Sequence, residues 1–125
     1  MAHILVIADE PWIINDVRAA LESGGRRVQV ESDPHQATAA AAESPPTAVV
    51  VDMQVGSMGG MAVTRALRNA PELDEVPAIV ILLDRDADAF LAGRSGADGW
   101  VRKPFSAHEL RSAIDEHAPV SNDAS

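Results

Sequence analysis

Two carboxylates and one ammonium group lie at positions in the sequence where they could bind a ligand or take part in a reaction. Asp9 follows the apolar run 4–8, Asp52 ends the run 48–52, and Lys103 precedes a Pro-Phe turn after a third, shorter run. Apolar runs of this length, bounded by turn residues, indicate buried parallel strands. In open α/β sheets, ligands gather at the carboxyl ends of such strands. We therefore predict that Asp9, Asp52 and Lys103 converge on one crevice.

This combination of side chains indicates metal-assisted phosphoryl chemistry. Carboxylate oxygens, completed by waters and backbone carbonyls, suit Mg²⁺, and a metal beside a carboxylate neutralises an incoming phosphoryl group. A lysine across the site binds a phosphate oxygen as a point charge. Because carboxylates act as phosphoryl acceptors in some enzymes, the residues alone predict a Mg²⁺-dependent aspartyl-phosphate site at Asp52.

The elements that must position these residues alternate regularly along the chain. Apolar runs and helical patterns follow one another, which is typical of a parallel sheet covered by helices. We predict strands at 4–8, 28–30, 48–52, 78–83 and 99–101, and helices from Pro11, over 34–43, over 61–69, after Asp84-Arg85-Asp86 and from Ser106. In the fourth helix, Phe90 and Leu91 are predicted on the inner face. The fold prediction is one α/β domain with a doubly wound, five-stranded parallel sheet.

Composition excludes several classes of function. The chain has 125 residues, a net charge of −9 and no cysteine. The acidic charge opposes binding to nucleic acid or anionic lipid, and the lack of cysteine excludes disulfides and thiolate chemistry. The apolar runs are far shorter than the roughly 20 residues of a membrane span, and the start of the chain lacks a signal-peptide pattern. We expect a cytoplasmic protein with protein partners, without contact to nucleic acid or membrane.

Four segments carry a resemblance to a known family. They are the first apolar run with Asp9-Glu10-Pro11, the Asp52 strand with its Met58-Gly59-Gly60 loop, the segment 96–100 and the Lys103-Pro104-Phe105 turn. In this order and spacing they resemble the receiver domain of bacterial two-component response regulators. The resemblance implies a flavodoxin-like fold of strand order 2-1-3-4-5, flanked by five helices. It assigns residues 1–118 to the receiver domain and leaves 119–125 as a disordered tail.

The same resemblance implies roles for individual residues. Asp52 would accept phosphate from a histidine kinase or phosphotransfer protein, and Lys103 would contact the phosphoryl group. Asp9, Asp52 and the backbone carbonyl of Gln54 would bind Mg²⁺. Trp100 stands where the family places a switch aromatic, but packing is the more ordinary role for a tryptophan, and it is preferred here because Leu82 replaces the hydroxyl that normally couples to the aromatic.

Two positions depart from the family pattern. Ala8 replaces the first of two adjacent acidic residues, and loss of such a group typically weakens metal affinity about 10- to 100-fold. Leu82 replaces the Ser or Thr whose hydroxyl binds the phosphoryl group, and such a hydrogen bond contributes about 1.5–3 kcal/mol. Two mechanisms stay open: a weakly switching phosphoreceiver, or a pseudo-receiver that binds its partner without phosphorylation.

The output is predicted to be contact with another protein rather than catalysis. The chain is expected to act as a stand-alone receiver that meets a downstream partner, with homodimerisation through the face of the fourth helix, fifth strand and fifth helix as a further hypothesis. A flavodoxin-like enzyme or cofactor carrier is disfavoured, because the turn after the first strand is acidic and lacks a phosphate cradle. Trp12 is predicted to face solvent near the site. The acidic segment 84–88 is predicted to be a solvated helix start.

Overall fold

The computed structural model describes residues 2–118, which form a single parallel sheet flanked by helices. The strands are β1 (His3–Ile7), β2 (Arg27–Glu31), β3 (Ala48–Asp52), β4 (Ala78–Leu83) and β5 (Gly99–Arg102). All neighbouring strands pair in parallel, in the order β2-β1-β3-β4-β5. The predicted sheet and its order are confirmed, while the predicted tail 119–125 lies outside the described residues.

The helices lie between the strands, as the alternation predicts. They are α1 (Pro11–Glu22), α2 (Ala37–Glu43), α3 (Gly60–Arg68), α4 (Ala89–Ser95) and α5 (Ala107–His117). A short 3₁₀ turn, Pro34–Gln36, precedes α2, so the predicted helix 34–43 is divided in two. Another 3₁₀ turn, Asp86–Asp88, precedes α4. Within residues 2–118, no helix is both long enough and apolar enough to cross a membrane.

Alternate residues of the central strands face opposite helical layers, because side chains in a strand point to the two faces in turn. One layer packs on α1 and α5, and its strand members are Ile4, Val6, Ala48, Val50, Ala78, Val80, Leu82 and Val101. The opposite layer packs on α2 and α3, and its strand members are Leu5, Ile7, Val49, Val51 and Ile79. Asp52 lies two residues after Val50, so its side chain points toward the α1 and α5 side of the sheet.

The prediction that Phe90 and Leu91 lie on the inner face of α4 is wrong. Phe90 is 70% exposed and Leu91 is 49% exposed, whereas Ala92 and Ser95 are buried. With Asp88 also buried, the inward stripe runs at positions 88, 92 and 95, which is regular helical spacing. The large apolar residues therefore lie outside the stripe, and small or polar residues occupy it.

Gly60 allows α3 to begin directly against the strand end that carries Asp52. Its N–H donates to the carbonyl of Met53 at 2.9 Å. A Cβ at this position would lie 2.8 Å from the Asp52 carbonyl oxygen and 2.9 Å from the Met53 Cα, and both of these are backbone atoms. Since backbone cannot yield as a flexible side chain does, only glycine fits without a shift of β3 or α3.

Substituting Gly60 by alanine should therefore lower the free energy of unfolding by about 1–3 kcal/mol, the usual cost of overpacking. Urea denaturation followed by circular dichroism measures this change. Gly93→Ala is the matched control, because a Cβ there would be 3.4 Å from the Trp100 ring and alanine favours the helix. Equal stability of Gly60→Ala and the unsubstituted protein would contradict the close approach.

Candidate functional site

Asp52 is a buried carboxylate paired with a buried lysine. Its side chain is fully buried, and Lys103 Nζ lies 2.6 Å from its Oδ1, with the lysine side chain only 6% exposed. Lys103 is the only lysine of the sequence. The structure thus brings together two of the three residues that the sequence places at the carboxyl edge, from the ends of β3 and β5.

Backbone pairing holds both residues in place. In the β4–β5 register Leu83 pairs with Arg102, and the next residue, Lys103, donates its N–H to the Leu83 carbonyl at 2.8 Å. The Lys103–Pro104 peptide bond is cis. On the other side, the N–H of Gln54 donates to Asp52 Oδ1 at 3.3 Å. The oxygen Oδ1 therefore accepts hydrogen bonds from both the lysine and the loop after β3.

The second oxygen of Asp52 has a different environment. Oδ2 is buried and has no hydrogen-bond partner within the described part of the chain. A buried acceptor without a partner costs free energy, and in native proteins most such groups are satisfied. Oδ2 is thus the acceptor atom at this site that a bound ligand would satisfy.

Asp9 lies in the loop that follows β1. It is exposed, and its Oδ2 accepts a hydrogen bond from the Gly56 N–H at 3.0 Å. This contact links the β1–α1 loop to the glycine-containing loop that follows Asp52. Asp9 therefore belongs to the same edge of the sheet as Asp52 and Lys103, as the sequence predicts.

The donor set near Asp52 fits Mg²⁺ with a small number of protein ligands. Residues 2–118 contain no group of three or more His, Cys, Asp or Glu side chains arranged to hold a metal ion. Mg²⁺ nevertheless keeps several waters and commonly binds through one or two carboxylates. The Asp52 and Asp9 carboxylates and the Gln54 carbonyl supply donors of the right kind.

Both departures from the family pattern flank Asp52 with apolar groups. Leu82 pairs with Asp52 in the β3–β4 register, while Ala8 follows Ile7, which pairs with Val51. Ala8 and Leu82 are fully buried in the layer that packs on α1 and α5. The carboxylate therefore lies between two hydrocarbon side chains, and each of them is explained by core packing.

Restoring the missing carboxylate tests the metal site directly. Ala8→Asp should raise Mg²⁺ affinity by about 10-fold or more, because groups that support a metal site are typically worth 10- to 100-fold. Calorimetric titration with MgCl₂ measures the change. Ala8→Asn is the control of equal size without the charge and should give little gain, so equal affinities of the two variants would contradict this assignment.

One residue at the site was missed by sequence reasoning. Asp84 Oδ1 lies 3.0 Å from Lys103 Nζ, so the lysine bridges Asp52 and Asp84. The prediction of a solvated helix start at 84–88 holds for residues 84–87, which are exposed, but not for Asp88. Asp84 contacts the site, and Asp88 is buried and paired with Arg85 at 3.0 Å. The hydrogen bonds with Asp88 raise the pKa of Arg85 above its ordinary value.

The strand register accounts for the position of Asp84 beside Lys103. Because Leu83 and Arg102 pair across β4 and β5, the residues that follow them, Asp84 and Lys103, leave the sheet side by side. Their opposite charges then favour a contact. Hydrophobic patterns do not reveal this pairing, because they do not fix the register of β4 and β5 to a single residue.

Two tryptophans are partly exposed. Trp100 on β5 is 41% exposed and lies over Gly93 of α4, while Trp12 on α1 is 51% exposed, as predicted. A shallow groove of about 400 Å³ lies between α4 and β5 and is lined by Ala89, Phe90, Gly93, Arg94 and Trp100. Trp100 thus contributes to an apolar surface on this side of the molecule.

The sheet order and the Asp52–Lys103 pair at its carboxyl edge define a receiver-type domain of flavodoxin-like fold. The chain belongs to the response regulator receiver domain family, whose sequence profile matches residues 4–115. The fold and the family named from the sequence are therefore confirmed.

Similar proteins include regulators of different lengths. The chain is 37% identical over 119 residues to the transcriptional regulatory protein KdpE of Mycobacterium tuberculosis, covering 91% of this chain and 51% of KdpE. It is 28% identical over 116 residues to protein PilH of Pseudomonas aeruginosa, covering 92% of this chain and 96% of PilH. The chain thus spans about half the length of KdpE and nearly all of PilH.

A solved structure of similar fold contains a metal. The receiver domain of the sensor histidine kinase PA1611 from Pseudomonas aeruginosa PAO1 superposes with a TM-score of 0.82 at 25% identity, covering 93% of this chain and 96% of that one. That structure has a magnesium ion coordinated in its active site cleft.

Proposed function

We propose that this receiver domain accepts a phosphoryl group on Asp52 and passes the signal on by protein contact. The observation that carries the proposal is the unequal environment of the two Asp52 oxygens. Oδ1 is bound by Lys103, while the buried Oδ2 has no partner among the described residues. One oxygen is thereby fixed by a cation, and the other is left as the nucleophile.

The reaction follows from this arrangement. Oδ2 attacks the phosphorus of a phosphohistidine, a P–O bond forms, and the P–N bond to the imidazole breaks. The leaving imidazole takes up a proton from solvent. Lys103, already 2.6 Å from Oδ1, keeps the carboxylate oriented and offers its charge to the phosphoryl oxygens. Mg²⁺, when held by Asp9, Asp52 and the Gln54 carbonyl, would supply further neutralisation of the transferred group.

The donor and the downstream partner follow from the same proposal. A histidine kinase or phosphotransfer protein supplies the phosphoryl group. The downstream partner, or a second copy of the chain, meets the face formed by α4, β5 and α5, where Phe90 and Trp100 expose apolar surface. Exposed aromatics of this kind act as anchors in protein interfaces.

A second candidate function is a pseudo-receiver that binds its partner without phosphorylation. It is favoured by the apolar groups on both sides of Asp52, since Ala8 provides no carboxylate and Leu82 no hydroxyl. In this case the Asp52–Lys103 pair would only hold the edge of the sheet together.

Incubation with acetyl phosphate separates the two candidates. With MgCl₂ present, intact-mass measurement should show the gain of one phosphoryl group, and chelation of the metal with EDTA should remove most of that gain. The pseudo-receiver predicts no gain under either condition, together with partner binding that is independent of phosphodonor.

A further inference from the structure

A groove of about 1040 Å³ lies at the edge of the sheet opposite the Asp52 site. Its lining includes Ile4 of β1, Thr47 just before β3 and Pro77 just before β4, which all lie near the amino ends of their strands. Since β3 runs from Ala48 to Asp52, at about 3.3 Å per residue, the two sites are roughly 13 Å or more apart. Ligand sites usually measure about 300–1,000 Å³, so this groove has room for a ligand of its own.

The floor of the groove is apolar. It includes Ala42 of α2, the Pro45-Pro46 connection between α2 and β3, and Ile114 of α5. Proline fixes its own φ angle, so this connection keeps its shape before any ligand arrives. A surface that is already ordered binds with a smaller loss of conformational entropy. The floor therefore suits the aliphatic side chains of a ligand.

The rim of the groove carries three carboxylates from the loop between α3 and β4. Leu73 and Val76 are partly buried against the core layer of α2 and α3, and they anchor this loop. Their neighbours Glu72, Asp74 and Glu75 are exposed. None of these three carboxylates forms an ion pair with another residue of 2–118. The rim therefore presents negative charge beside an apolar floor.

The basic side chain in the described lining of the groove, Arg26, does not offset that charge. Its Nη2 lies 2.6 Å from both carboxylate oxygens of Asp115, so its own charge is already paired. A cationic ligand matches such a surface. The chain's own end, residues 119–125, has one carboxylate and no basic side chain, and a second copy of the chain carries a net charge of −9. Both of these match the rim poorly.

We propose that this groove is a docking site for a segment of a partner protein that presents aliphatic side chains between arginine or lysine residues. The aliphatic side chains lie on the floor, and the basic side chains pair with the carboxylates of the rim. Because the groove is at the opposite edge of the sheet from Asp52, the bound segment leaves the phosphoryl site accessible. The inference goes beyond the proposed function and does not depend on it, since the binding needs no phosphodonor.

Fluorescence anisotropy with a labelled peptide tests the proposal on the full chain. The peptide has a leucine-rich core with arginines at both ends, and its control has the same core between glutamates. The arginine peptide should bind at least about ten-fold more tightly, because like charges oppose the control. The difference should shrink at high salt, which screens exposed charges. Failure of the arginine peptide to bind, or equal binding of both peptides, would overturn the proposal.

Removing the charge of the rim should weaken binding of the arginine peptide. Glu72→Gln, Asp74→Asn and Glu75→Gln together should raise its Kd about three-fold or more, since exposed charge pairs each contribute a modest amount. All three side chains are exposed, so circular dichroism should show this triple variant folded like the unsubstituted protein.

The control variant removes three exposed carboxylates outside the groove. It combines Glu10→Gln, Asp16→Asn and Asp86→Asn, and none of these residues belongs to the described lining. Because the two triple variants have the same net charge, the control should bind the arginine peptide like the unsubstituted protein. Equal weakening in both variants would show attraction by net charge alone and would rule out recognition by the rim.

A substitution on the floor tests the apolar half of the proposal. Ala42→Phe fills part of the groove and should raise the Kd of the arginine peptide about five-fold or more, the size of effect typical of a central contact. Ala39→Phe, on an exposed position of the same helix outside the described lining, should leave it unchanged. Equal Kd values for these two variants would contradict docking in the groove.

Two further outcomes would assign the groove to another occupant. If Val120→Ser tightened binding of the arginine peptide, the chain's own end would be the occupant. If sedimentation showed a dimer that Ala42→Phe dissociates, the occupant would be a second copy of the chain. Either result would refute a basic partner segment, which predicts a monomer and no effect of Val120→Ser.

Discussion

Asp52→Asn should abolish phosphoryl transfer from acetyl phosphate in the presence of Mg²⁺. The carboxamide retains an oxygen that can accept the Lys103 hydrogen bond, so the 2.6 Å contact at Oδ1 has a neutral substitute. It loses the anionic oxygen that attacks phosphorus, because an amide nitrogen is not a nucleophile of comparable strength. Intact-mass measurement over time should therefore show no gain for this variant.

Asp16→Asn is the matched control for this prediction. Asp16 is an exposed residue of α1 and takes no part in the contacts of Asp52. It should be phosphorylated at the rate of the unsubstituted protein, and circular dichroism should show all three proteins folded. Phosphoryl gain by Asp52→Asn equal to that of the control would place the acceptor elsewhere in the chain.

Leu82→Thr should lengthen the lifetime of the phosphorylated protein by about 10-fold or more. A hydroxyl at this position would lie beside Asp52 on the paired strand and can donate to the phosphoryl group. A hydrogen bond to a charged group is worth about 1.5–3 kcal/mol, which corresponds to roughly 10- to 100-fold in an equilibrium or a lifetime. The measurement is the lifetime of phosphorylated protein after removal of the phosphodonor.

The control for this variant is Leu82→Val, which has the shape of threonine without its hydroxyl. Both substitutions shrink a fully buried side chain and should lower the free energy of unfolding by about 1–3 kcal/mol. Only threonine should lengthen the phosphoryl lifetime. Equal lifetimes for threonine and valine would show that Leu82 affects the site by packing alone.

The positions of all five strands, and the ends of β3 and β4, could be predicted because the buried runs are locally unambiguous. The run 48–52 is apolar up to its last residue, and in the structure β3 is Ala48–Asp52, with Asp52 at its carboxyl end. The predicted strand 78–83 is β4 (Ala78–Leu83). Since parallel strands end at one edge, the convergence of Asp52 and Lys103 follows from these boundaries.

The features that could not be predicted depend on contacts between elements. On α4, Phe90 and Leu91 were expected to be buried because they are apolar, yet Ala92 and Ser95 fit the narrow space against the sheet. The contact of Asp84 with Lys103 depends on the β4–β5 register, which hydrophobic patterns do not specify to a single residue. The buried face of α4 and the contact of Asp84 with Lys103 could therefore be identified only from the three-dimensional structure.

The most direct test of Asp52 as the phosphoryl acceptor is chemical trapping of the phosphorylated residue. Borohydride reduces an aspartyl phosphate to homoserine, so treatment after incubation with acetyl phosphate and MgCl₂ marks the acceptor in the sequence. Peptide mass mapping should find homoserine at position 52 and nowhere else. Homoserine at Asp9 or Asp84, or none at any aspartate, would contradict the assignment of Asp52 as the phosphoryl acceptor.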